Sequence, residues 1–118
     1  MICDKLTYSF YDKEYPVYFE LAEYASNENT AVNMLTDIKT VDEPFGCCTV
    51  NLGMRLQPGY AYIDENNLPG VLTFLEEHGL GSRILGCTAM SGFCIYQLFK
   101  FDMDELLKYT KYDRRKNT

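Results

Sequence analysis

The stretch from Tyr60 to Gly79 restricts the possible folds more than any other, because a strand, a turn and a helix are each specified locally and agree. Tyr60, Tyr62 and the β-branched Ile63 suit a pleated strand ending at Asp64. Glu65-Asn66-Asn67 is a turn, and Asn66 or Asn67 is placed to cap a helix by accepting from a free first-turn amide. Pro69 falls in that first turn, where it forfeits no intrahelical bond. Leu68, Val71, Leu72 and Leu75 recur at helical spacing and Phe74 widens the stripe, which predicts a helix from Leu68 to His78 closed by Gly79. This is scaffold, and it names no chemistry.

Upstream, Leu6–Phe10 and Val17–Leu21 flank the polar turn Tyr11–Glu14 and read as a hairpin, with Pro16 at a strand start or on an edge. Tyr8, Phe10, Tyr18 and Tyr24 read as packing residues rather than a binding cage. Residues 30–39 fit a helix or a strand; Thr30, Val32, Thr36 and Ile38 share one parity and favour the strand. After a turn at Asp42–Pro44, Phe45–Leu52 is a strand in which Gly46 marks a bulge or a close approach. Short turns between these strands imply an antiparallel meander.

Downstream, Ile84–Met90 and Phe93–Phe101 flank Ser91-Gly92. The second run is apolar almost throughout, as expected of a strand buried on both faces. Asp102 and Glu105 have capping-box spacing and open a second helix whose inner stripe is Met103, Leu106, Leu107 and Thr110, with Lys108 and Lys111 near its end. The expected fold is α+β: a mostly antiparallel sheet of five or six strands with two helices packed on one side. The expected organisation is one domain over 1–118, with a core of about 5–111 and a frayed basic tail over 112–118.

Charge separates the body from that tail. Residues 1–107 carry a net −10 and residues 108–118 a net +4, giving −6 over 118 residues. An acidic body argues against direct binding of DNA or RNA, because cationic contacts to phosphate dominate that affinity. It suits a basic protein partner. The chain has no apolar run of bilayer-spanning length and its first residues lack a secretory signal, so a cytoplasmic protein with no membrane association is expected. The five cysteines, with Cys47 and Cys48 adjacent and no Cys-x-x-Cys, lack metal-ligand spacing and read as reduced thiols. No metal and no cofactor is expected.

No phosphate loop, dinucleotide fingerprint or nucleophile elbow is present. His78 and Asp64 are the residues on which a small hydrolase or transferase would have to be built, and helix-edge packing and turn chemistry account for them without catalysis. The expectation is therefore a binding protein, not an enzyme. Its surface is expected where two turns meet the best-specified strands: Asp64, Glu65, Asn66 and Asn67 at one, Ser91, Gly92 and Phe93 at the other. Capping, chain reversal and, for Phe93, core packing are the structural roles these residues would otherwise fill.

The ordered segments Asn29–Asn33, Glu43-Pro-Phe with Thr49–Leu52, Pro58–Asn67, Phe74–Gly81 and Ser91–Tyr96 resemble a family of small bacterial proteins known as domain of unknown function 4313. The likeness spans roughly residues 5–101, and order and spacing carry it more than any one motif. Before the Ser-Gly turn, where the family usually has Gly-Arg or Thr-Gly, this chain has Gly86-Cys87-Thr88. The resemblance implies an accessory gene of a mobile element, carried by plasmids, conjugative elements and phages. It brings no established activity and no functional residues. The function it suggests is counter-defence, by occupying a host nuclease or sequestering a signal nucleotide. The alternative is a homodimeric housekeeping protein of the element with no nucleotide ligand.

Overall fold

A computed structural model describes residues 3–115. Strands β1 (Leu6–Phe10), β2 (Lys13–Glu23), β3 (Thr30–Thr36) and β4 (Glu43–Cys47) form an antiparallel meander. Strands β5 (Thr49–Val50), β6 (Tyr60–Ile63), β7 (Gly81–Ser91) and β8 (Cys94–Phe101) form a second antiparallel sheet in the order β5-β6-β8-β7. A ninth strand, β9 (Thr110–Asp113), joins the first sheet parallel to β2. The α+β, mostly antiparallel character is as expected, but the strands divide into sheets of five and four rather than one of five or six.

The division happens inside the run read as a single strand, Phe45–Leu52. Gly46 and Cys47 still pair with β3, whereas Thr49 and Val50 pair with β6. Between them the Cys48 amide donates to the Val32 carbonyl at 2.8 Å, and the Cys48 carbonyl accepts from the Asp64 amide at 2.8 Å. The ladder slips a residue at Phe45, and a bulge of this kind strengthens local twist and turns the strand out of its sheet. Gly46 also supplies the close approach: a Cβ there would lie 2.8 Å from Leu68 Cδ2.

The β1–β2 hairpin turns through Tyr11 and Asp12, both at positive φ (48° and 67°), the backbone twist that suits a two-residue hairpin. Counting the ladder's alternation from that turn makes Thr7↔Pro16 a non-hydrogen-bonded pair, so the proline costs β1 no bond. Val17, Phe19 and Leu21 of β2, Val32 and Met34 of β3, Ala61 and Ile63 of β6, and Phe99 and Phe101 of β8 enter one continuous core. Helix α1 (Val71–Glu77) fills that core with Val71, Leu72, Phe74 and Leu75 rather than lining one side of a single sheet. Helix α2 (Met103–Leu107) contributes Leu106, with Met103 packed against it.

The helices depart from expectation at their ends. Helix α1 starts at Val71, after Gly70 at φ 80°, and neither Asn66 nor Asn67 caps it. Glu65 does, its Oε2 accepting from the Leu72 amide at 3.1 Å. The C-terminus follows the reading: Gly79 is left-handed at φ 72°, its amide donates to the Glu76 carbonyl, and the Leu80 amide donates to that of Leu75. Asp102 caps α2 through the Glu105 amide, but the helix ends by Leu107, which is exposed, and Thr110 and Lys111 belong to β9. Tyr112 and Asp113, expected to fray, pair with Glu20 and Leu21, and the Arg114 amide donates to the Leu21 carbonyl. Residues 116–118 of that expected tail lie outside the described residues.

Candidate functional site

The β7–β8 hairpin is anchored at one end and uncovered at the other. Phe99, Phe101 and Leu80 root it in the core. The Arg83 guanidinium grips the Glu76 carboxylate with Nη2–Oε1 at 2.7 Å, and the Arg83 amide donates to Glu76 Oε2. Beyond this root the register breaks: Arg83 pairs with Phe99, but the next pair is Thr88↔Gln97. The extra residues, Ile84 to Cys87, bulge outward with Gly86 at φ 78°, and Gln97 Nε2 pins the bulge by donating to the Ile84 and Cys87 carbonyls (2.7 and 3.2 Å). The strands then rejoin as Thr88↔Gln97 to Ser91↔Cys94 and close through Gly92 (φ 62°) and Phe93.

This distal arm exposes large apolar side chains. Phe93 is 104% exposed, Leu85 84%, Met90 71% and Ile95 66%. The expected core role of Phe93 is not what the structure shows, and β8 is not buried on both faces: only Phe99 and Phe101 of its eight residues are buried. Met90 and Ile95 are cross-strand neighbours, so they form one apolar face with Phe93 at its end. Every residue from Ile84 to Phe99 is uncharged.

The other expected surface, the Asp64–Asn67 turn, has most of its polar groups engaged within the fold. Asp64 is buried; its Oδ1 accepts from the Asn66 and Asn67 amides (3.2 and 3.3 Å), and its Oδ2 accepts from Asn67 Nδ2 at 2.9 Å. Glu65 is committed to α1. Asn66 is exposed and lies near Tyr96 of β8, whose hydroxyl burial pushes upward in pKa. The turn therefore sits beside the middle of β8. Ser91, Gly92 and Phe93 lie beyond Cys94, about 10 Å further along the strand at ~3.3 Å per residue. The two turns share one end of the sheet without forming one polar surface.

A second cluster escaped the sequence reading. Asp42, just before β4, accepts hydrogen bonds from the hydroxyls of Tyr18 and Tyr112 and from Lys111 Nζ (2.9 Å to Oδ1, 3.0 Å to Oδ2). The Lys111 ammonium also stands over the rings of Tyr18 and Tyr112 at 5.8 and 5.5 Å. Bonds from Tyr112, Tyr18 and Lys111 hold the Asp42 carboxyl far below the usual carboxylate range. Burial and the Asp42 bond push the Tyr18 phenol up, and the Asp42 bond raises that of Tyr112. Asp42 stays ionised and both phenols stay protonated around neutral pH, so the cluster acts as a clamp between β9 and the start of β4. Adjacent alternation at Thr110 and Tyr112 was the one local signal for β9, and it is too short to identify a strand.

Among the described residues no three His, Cys, Asp or Glu side chains are grouped to hold a metal ion. His78 follows α1, exposed, with its ring edge-on to Phe74 at 4.8 Å. Burial raises the pKa of the Cys48 thiol. A groove of about 550 Å³ opens beside Gly81, its wall mixing Lys100 with Asp102 and Asp104, so it presents no field of a single sign. No helix among the described residues is long and apolar enough to cross a membrane.

Fold and surface together define a small, mainly β protein of α+β type whose most distinctive exposed feature is an uncharged apolar arm. The chain belongs to the family described as Domain of unknown function (DUF4313), whose model matches residues 18–117. No curated protein and no solved structure matches it.

Proposed function

We propose that this chain is a non-enzymatic binding protein that grips a protein partner with the β7–β8 arm, and that it serves as an accessory protein of a bacterial mobile element. The observation that carries the first part is Phe93, fully exposed at the tip of an arm whose neighbours Leu85, Met90 and Ile95 are exposed as well. Exposed apolar patches of this kind mark interaction surfaces, because leaving them in water costs free energy that a partner would recover. A protein surface suits the arm better than a nucleotide, since the arm offers neither cation nor phosphate-binding turn.

Engagement of Asp64 by three donors, and the edge-on packing of an exposed His78 against Phe74, support the non-enzymatic reading over a hydrolase or transferase. The mobile-element part rests on the family resemblance. Counter-defence follows if the acidic body, at net −6 overall, covers a basic host nuclease. The test is affinity capture from a bacterial host with wild-type protein and Phe93→Asp as baits. The reading requires a protein that the wild type retains and the variant loses at equal folded concentration. Identical capture by the two baits would move the binding surface away from the arm.

A further inference from the structure

We infer that the arm's partner is a second copy of this chain, joined edge to edge along β7; the inference rests on the reading of the arm as a protein-binding surface. Strand order leaves β7 at the margin of its sheet, with β8 on one side and no strand among the described residues on the other. The closing pair of a two-residue hairpin exchanges both backbone bonds, so Ser91↔Cys94 and Ala89↔Tyr96 are bonded pairs. Thr88 and Met90 therefore turn their amides and carbonyls outward, away from β8. Nearer the root the margin is blocked, because the Arg83 amide is taken by Glu76.

Two of the other margins are protected. Strand β4 carries Pro44 and a bulge, and β5 has only two residues. The distal half of β7 has no such protection. Its Gly86 bulge leaves Thr88 to Ser91 in regular pairing, and no charge lies between Arg83 and Lys100.

Charge selects the occupant. Two copies of a chain with net charge −6 repel on average, and an uncharged segment is a place where they meet without that cost. The arm supplies sixteen such residues in succession, Ile84 to Phe99. A basic partner would instead be drawn to the acidic body. A strand paired antiparallel with its own copy matches donors to acceptors by symmetry, which gives a closed two-fold contact rather than a growing fibre. The four exposed side chains present on the order of 600 Å² of apolar surface, the upper range for a monomer. Two four-stranded sheets would become one of eight.

Sedimentation equilibrium of purified protein from about 1 to 100 μM tests the pairing, with Met90→Pro and Phe93→Asp alongside. Met90→Pro removes an outward amide and costs the hairpin no bond, while Phe93→Asp leaves the ladder intact and places a charge on the apolar face. The wild type is expected at twice the monomer mass, and each variant should raise the dimer dissociation constant at least ~10-fold with its thermal melt unchanged. A wild type that is monomeric at ~100 μM, or a dimer indifferent to both substitutions, overturns the pairing. If a monomeric wild type still captures another protein in a Phe93-dependent way, self-pairing fails while the binding role of the arm stands.

Discussion

Asp64 shows how a single carboxylate can hold a junction. Its side chain accepts from two turn amides and an amide side chain, and its own backbone amide donates to Cys48, where the chain passes between sheets. Asp64→Ala should therefore destabilise the protein by about 2 kcal/mol, as expected when a charged hydrogen-bond acceptor is lost from a buried site. Asn67→Ala, which removes one of three donors and caps nothing, should cost less than ~1 kcal/mol. Urea midpoints measure both, and equal losses would show that Asn67 is the organising residue. The turn itself was legible because Asn and Asp cluster ahead of a helical stripe. Which residue caps was not, since Asp64, Glu65, Asn66 and Asn67 all carry acceptors and only three-dimensional reach selects Glu65 for the Leu72 amide.

At the scale of elements, legibility followed locality. The first hairpin announces itself by alternation and α1 by its stripe and closing glycine, while β3 is favoured over a helix by β-branched residues of one parity. The split at Cys48 has no turn residue to mark it, and the exposure of β8 cannot be read from an apolar run, because periodicity does not say where the covering layer stops. Strand β9 was the furthest from view: its partner β2 lies some ninety residues earlier, and four residues contain no record of that distance. Once seen, it changes the expected effect of truncation. Removing residues 111–118 takes away the ladder beside Glu20 and Leu21 and the clamp on Asp42, and should lower the thermal midpoint by on the order of 10 °C. A truncated protein melting within a degree or two of the full chain would mean that β9 adds no stability.

For the whole molecule, the perturbed groups define a pH window. Asp42 titrates lower in the folded state than in the unfolded chain, so its contribution is complete above about pH 4, the ordinary carboxylate range, and is lost as pH falls below it. Tyr8, buried against Phe74 and donating to the Pro69 carbonyl at 2.7 Å, has its pKa pushed up to about 12, chiefly by burial, and Tyr24 likewise to about 12. A phenol raised on folding stabilises the protein fully below its unfolded value near 10, and that stability is lost as pH rises toward 12. Thermal midpoints should fall on both sides of the window. Asp42→Asn should flatten the acid limb and Tyr8→Phe the alkaline one; unchanged limbs in both variants would assign the losses to other groups. The position of β9 also has a consequence for synthesis. The half of β2 that it covers leaves the ribosome some ninety residues before Thr110 does, roughly 5–20 s at ordinary elongation rates. During that interval a strand with buried Phe19 and Leu21 has one side of its ladder unfilled, and a nascent-chain chaperone or a neighbouring polysome product can reach it.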